Sequence, residues 1–297
     1  MERIGEMPIS SLSAGSPTQV AIPGTELWDM RSAVSGREYR IMMWHSGDET
    51  PAGGYPVLYM LDANTCFGTT AETAKYLTKK PHGYDSAIVV GIGYPDGVEA
   101  NKERFWDYTT PADPERLPVR GDRSPWPPVG GAEEFIHFIE AELKPVIEKR
   151  FTIDKTRQAL CGHSLGGFFV LHVLFTRREA FSTYVAGSPS IWWNDNVLLE
   201  EEKTFRQELE QEGREGEAHR NITLFIAAGG LERGNPSRMF ENAIEMAERL
   251  GDLKERGLTV IGKDFEGEGH VSVIPSLIAR GIRVALTSSE DERGRNI

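Results

Sequence analysis

The sequence predicts an α/β fold, with a mostly parallel central sheet and helices on both faces. Three observations predict it. Short apolar runs of strand length, bounded by Gly, Pro and Asp, recur along the 297 residues, as the buried strands of parallel sheets do. Segments with helical spacing of apolar residues lie between them, and that alternation implies a sheet covered on both sides. One run, RQALC (157–161), ends in the turn Gly162-His163-Ser164-Leu165-Gly166 and passes at once into an almost wholly apolar stretch.

Taken in order, residues 1–25 are polar and rich in Ser, Gly and Pro and read as a loose lead-in. REYRIMMW (37–44) is the first expected strand, followed by VLYML (57–61) and AIVVGI (87–92). Residues 101–130 hold Pro, Arg and aromatics without periodicity. A loop of that length inside a domain is usually functional or disordered, and its Trp and Tyr content argues for packing over something and so favours the functional reading. In EEFIHFIEAELKPVIEKRF (133–151), Phe135, Ile139, Leu143 and Ile147 share one helical face, and Pro145 is expected to kink or split that helix. Leu165–Thr176 is apolar on nearly all sides and is expected to be a buried helix. STYVAG (182–187), ITLFIAA (222–228) and LTVI (258–261) complete the strands, and FENAIEMAERL (240–250) is amphipathic. The charged stretch 198–221 reads as a solvated helix and loop. The expected organisation is the lead-in over 1–25, one domain over 26–287 and a polar tail over 288–297.

A composition of 39% hydrophobic and 26% charged residues is that of a globular chain with a sizeable core. Lys and Arg number 33 against 45 Asp and Glu, a net charge of −12, which argues against a nucleic-acid or membrane-surface role. No apolar run reaches membrane-spanning length, and MERIGEMPISSLSAGS lacks the basic and apolar regions of a signal peptide, so a cytoplasmic location is expected. Cys66 and Cys161 make no disulfide framework, and the seven histidines form no H-x-x-x-H or H-x-H pair. No metal site and no cofactor are expected.

The turn at 162–166 has the G-x-S-x-G spacing of a nucleophile elbow. Chance supplies roughly 0.2 such matches in a chain of this composition, so the strand before it and the helix after it must carry the reading. Gly162 and Gly166 are expected to let the strained turn form, and the Leu165 N–H to donate to an oxyanion. The serine needs a base, and in this arrangement the order is Ser, acid, His, with the His after the last strand. His270 sits there, in FEGEGHVSVIP (265–275), and no other histidine lies beyond residue 219. Glu232 follows the preceding strand in GGLER (229–233) and is the expected acid, with Asp252 and Asp264 as competitors. His163, beside the serine, is read as a neighbour shaping the pocket. A second oxyanion donor is expected from VLYMLDANTCF (57–67), at Ala63 or Asn64, with Asp62 holding the loop.

These motifs together resemble the esterase-D-like branch of the α/β-hydrolases, and within it the siderophore trilactone esterases that open ferric bacillibactin, enterobactin and salmochelin. The resemblance covers residues 25–285 and rests on YMLDAN (59–64), GIGYP (91–95), RFWDYTTP (104–111), PWPPVGGAEEFIHFIEAELKPVIEKRF (125–151), GHSLGGFF (162–169), SPSIWWN (188–194), GGLER (229–233) and EGEGHVSV (266–273). It implies the α/β-hydrolase fold, Ser164 as nucleophile, His270 as base, Glu232 as acid and a second oxyanion amide near Asn64. Ala63 departs from the glycine usual in that turn. The resemblance also implies a small-molecule ester or lactone substrate, with or without bound iron. Arg104, Arg120 and Arg123 are expected to meet its anionic charge, and Trp106 with Trp192 or Trp193 its rings. A general carboxylesterase or acyltransferase on small acyl esters keeps the chemistry and changes the substrate. A non-catalytic binding protein on the same fold is the third reading, and the intact Ser164, Glu232 and His270 set argues against it.

Overall fold

All seven predicted runs form strands, and an eighth precedes them. The computed structural model describes residues 20–287 except 48, 80–82, 121–122 and 216–220. Most of the expected lead-in and the whole tail over 288–297 lie outside the described residues. The strands are β1 (Thr25–Arg31), β2 (Glu38–His45), β3 (Tyr55–Met60), β4 (Ile88–Gly93), β5 (Ile153–His163), β6 (Thr183–Gly187), β7 (Ile222–Gly229) and β8 (Leu258–Phe265). They form one sheet in the order β1-β2-β4-β3-β5-β6-β7-β8. β2 runs antiparallel to both its neighbours, and β4 through β8 are mutually parallel. β1, TELWDMR, carries no apolar run. As an edge strand it needs only backbone pairing with β2, so hydrophobic pattern does not report it.

Every residue of β3, β4 and β6 is buried, because helices cover both faces. On one face lie α1 (Ala63–Leu77) and α8 (Ile274–Leu286), packed on Leu58, Val89, Cys161 and Phe225. On the other lie α5 (Leu165–Thr176), α6 (Trp193–Glu215) and α7 (Met239–Leu250), with Tyr39, Val90, Leu160 and Ile226 beneath. The predicted helix 133–151 is split as expected. It consists of α3 (Ala132–His137), a π-helical turn over Phe138–Leu143 and α4 (Lys144–Arg150). Pro145 sits in the first turn of α4, where its missing N–H costs least.

Two readings change. Residues 101–130 are not wholly a loop, because Ala100–Tyr108 form helix α2. Its fully buried positions are Asp107 and Tyr108, so its inward face is hydrogen-bonded rather than apolar and leaves no hydrophobic period. The charged stretch 198–221 is helical to Glu215 but not only solvated. Leu198, Phe205 and Leu209 are buried, and Glu202, 4% exposed, pairs with Arg249 at 2.7 Å. No helix among the described residues is long and apolar enough to cross a membrane.

Candidate active site

β5 delivers the chain to Ser164 and α5 carries it away. The reversal leaves Ser164 at φ 60°, ψ −117°, which an L-residue holds only when its surroundings force it. The Ser164 N–H donates to the Gly187 carbonyl at 2.9 Å, and its carbonyl accepts from Phe168 at 2.9 Å and Ser190 at 3.1 Å. A Cβ at 162 would lie 2.4 Å from the Gly166 carbonyl oxygen, and one at 167 would lie 2.8 Å from that of Gly187. Glycine is required at these two positions. A Cβ on Gly166 would meet nothing nearer than 3.4 Å. Its place in the motif comes from its backbone, which closes over Gly162. α5 begins at Leu165, so the N–H groups of its first turn lack intrahelical acceptors beside the serine.

His270 lies in the turn between β8 and α8. Its Nε2 is 3.1 Å from Ser164 Oγ, and its Nδ1 is 2.7 Å from Glu232 Oε2. Glu232 ends a single helical turn, Gly230–Glu232, directly after β7 and is 4% exposed. Its Oε1 accepts from Ser188 Oγ at 2.5 Å and from the Gly229 N–H at 2.9 Å. Burial pushes its pKa up, but His270, Ser188 and the Gly229 N–H outweigh that and hold the carboxyl below its ordinary value. The acid turn is tied to the histidine turn, because Leu231 N–H donates to the Glu268 carbonyl at 2.9 Å. The competing carboxylates are engaged elsewhere. Asp252 takes both Nη atoms of Arg206 at 2.9 Å, and Asp264 pairs with Arg233.

A cavity of about 290 Å³ opens over these groups, lined by Asp62, Asn64, Arg104, His163, Ser164 and His270 among others. The His163 ring stands 4.6 Å from that of His270. Burial, then the charge of His270, pushes its pKa down to about 3, so it is neutral and unsuited to act as a base. Asn64 is the second residue of α1, and its amide makes a reciprocal pair with the Tyr94 backbone at 2.7 and 2.8 Å. The left-handed residue of this turn is Asp62, φ 54°, whereas Ala63 is the first residue of α1. The alanine therefore occupies a position that does not need glycine.

The sequence-predicted substrate contacts divide. Arg104 and His163 line the cavity, whereas Trp106, Trp192 and Trp193 do not. Trp193 is fully buried, 5.1 Å from the ring of Trp126 and 6.0 Å from that of Phe105, so it belongs to the core. Trp192 Nε1 points at Met239 Sδ, 3.0 Å away, and Trp106 covers Gly131. Trp193 thus ties the 101–130 segment to the body of the protein through Phe105 and Trp126, where its apolar area is better used than at a polar mouth. Arg104 is occupied by Asp62, with Nε and Nη2 each 2.9 Å from a carboxylate oxygen. Arg120 lies over Trp126 and donates to the Pro125 carbonyl at 3.1 Å, and Arg123 is exposed. Other cations that follow β4 and β7 along the chain are paired too, Lys102 of α2 with Glu99 and Arg233 with Asp264. Sequence reasoning missed Ser188. Its only signal is a hydroxyl residue just past the end of β6, where side chains meet the acid.

The chain matches the Esterase family profile, described as "Putative esterase", over residues 32–272. It is 42% identical over 283 residues to the ferri-bacillibactin esterase BesA of Bacillus subtilis, covering 95% of this chain and 96% of that one. It is 32% identical to the siderophore triacetylfusarinine C esterase of Aspergillus fumigatus, covering 90% and 94%. It superposes on the solved BES protein from Bacillus cereus with a TM-score of 0.83 at 39% identity, covering 92% of this chain and 100% of that one. Sheet order, elbow and relatives agree: the chain has the α/β-hydrolase fold and belongs to the esterase family.

Proposed function

We propose that this esterase is a serine hydrolase of siderophore esters, with Ser164 as nucleophile, His270 as general base and acid, and Glu232 as the orienting carboxylate. The observation that carries this reading is the unbroken chain of contacts from Ser164 Oγ through the His270 ring to Glu232, at 3.1 and 2.7 Å. Ser164 Oγ attacks the ester carbonyl while His270 Nε2 takes its proton. The resulting imidazolium is stabilised by the ionised Glu232. The tetrahedral oxygen takes up negative charge beside the Leu165 N–H and the Ala63 or Asn64 N–H. His270 then returns the proton to the departing alcohol. Water attacks the acyl-enzyme by the same route and frees the acid.

The substrate assignment is supported by the relatives that act on ferri-bacillibactin and triacetylfusarinine C. A cavity of about 290 Å³ is at the small end of ligand pockets and suits one acyl arm with its ester, the rest of a trilactone lying outside. That same size is what favours the second reading, a general esterase for small acyl groups. The free or iron-bound trilactone is the proposed ligand. A cytoplasmic setting is supported by the free, buried Cys66 and Cys161. Parallel steady-state kinetics decide between the substrates. A catecholate trilactone is expected to show kcat/KM at least about tenfold above p-nitrophenyl acetate or butyrate. Preference for the simple ester would leave the serine chemistry and remove the siderophore.

A further inference from the structure

We propose that helix α2 is a clamp on the oxyanion turn, and that Arg104 acts on catalysis as a positioning residue through Asp62 rather than as a cation for the substrate. This rests on the serine-esterase reading above.

Arg104, Asp107 and Tyr108 stand at i, i+3 and i+4 of α2 and so share one face. All three lead to the stretch 62–64. Arg104 grips both carboxylate oxygens of Asp62, and its Nη2 also reaches the His163 carbonyl at 3.4 Å, one peptide before Ser164. One guanidinium thus spans the turn after β3 and the elbow after β5. The fully buried Tyr108 hydroxyl accepts the Asp62 N–H at 3.1 Å. Asp107 accepts from the Tyr94 hydroxyl at 2.8 Å and from Tyr39 at 3.0 Å, with Arg37 Nε 3.1 Å away. Tyr94 in turn holds the Asn64 amide by its backbone. The turn is fixed at both ends, directly at Asp62 and through Tyr94 at Asn64. Between those anchors lie the Ala63 and Asn64 N–H groups, the first of α1, which have no intrahelical acceptors.

The strain at Asp62 explains why a clamp is needed. A non-glycine residue at φ 54° costs on the order of 1 kcal/mol and persists only where its surroundings over-determine it. The bidentate fork supplies that, and lysine cannot reproduce it. Asp62 already answers the charge of Arg104 through Nε and Nη2, and a substrate anion that drew the guanidinium away from it would release the turn.

The test is steady-state kinetics of Arg104→Ala on both p-nitrophenyl acetate and the trilactone. An oxyanion donor acts on every ester and mainly in the transition state. The expected loss is therefore in kcat, about 10- to 100-fold and equal for both substrates, with KM little changed. Arg104→Lys should rescue poorly. Affinity for a boronic acid analogue of the tetrahedral state should fall by the same factor as kcat/KM, a readout that general loosening would not track. The Asp62→Ala, Arg104→Ala double variant should lose no more than either single one. Tyr108→Phe keeps the shape and removes one anchor, and carries the same test if Arg104→Ala fails to fold. A loss confined to KM for the trilactone, or no loss on either ester, overturns the clamp. Because the acetate alone can show it, the outcome is separable from the substrate assignment, which fails only if wild type prefers the acetate.

Discussion

Replacing Ser164 with alanine is expected to lower kcat on any ester by at least about 10⁴-fold, because no other group can form the acyl-enzyme. Ser190 Oγ is 3.5 Å from Ser164 Oγ, but the hydroxyl paired with His270 Nε2 is that of Ser164, so Ser190 is not expected to substitute. The variant should fold, since Ser164 contributes its backbone to the elbow through three hydrogen bonds that alanine keeps. Alanine inherits the strain of φ 60°, whereas glycine does not, so Ser164→Gly should be more stable than Ser164→Ala by on the order of 1 kcal/mol. Active-site titration and thermal denaturation of the two variants check both parts. A Ser164→Ala protein retaining most of the wild-type kcat would take this serine out of the mechanism.

Changing Glu232 to glutamine is expected to cost about 10³- to 10⁴-fold in kcat with KM nearly constant. The amide can still sit between Ser188, Gly229 and His270, but its NH₂ face would meet His270 Nδ1 as a donor. That would favour the tautomer with the proton on Nε2, the wrong one for accepting from Ser164. It would also remove the negative charge that stabilises the imidazolium. Asp264→Asn should stay within about twofold of wild type, since Asp264 answers Arg233 rather than His270. If the two variants exchanged phenotypes, the acid would be misassigned.

The parallel core of the sheet was readable because strands buried on both faces must be continuously apolar, and VLYML, AIVVGI and ITLFIAA have few other uses. The meeting of Ser164, Glu232 and His270 was readable because an elbow predicts where its partners fall along the chain. What escaped had no such signal. β1 is held by backbone pairing, α2 turns a polar face inward, and Ser188 is one hydroxyl among many. The tryptophans misled for the opposite reason. Aromatic residues near a strand end suit either a ligand or a core, and composition does not say which side of the chain an indole takes. Arg104 was found at the site, but its partner Asp62 lies 42 positions away, and only the fold brings them together.

Because Arg104, Lys102 and Arg233 are each met by a carboxylate, these cations add little net positive charge to α2 and the turn after β7. Behind it lies a chain of net charge −12. Long-range fields of that sign slow the diffusional encounter of anions instead of guiding it. A multiply anionic ferric catecholate would thus gain nothing on approach and would depend on contacts made after arrival, whereas an uncharged ester would be indifferent. Raising ionic strength from about 0.01 M to about 0.15 M shortens the screening length from about 30 Å to about 8 Å. It should increase kcat/KM for the ferric complex and leave that for a neutral ester unchanged. A decrease for the ferric complex would reveal an attractive field at the mouth.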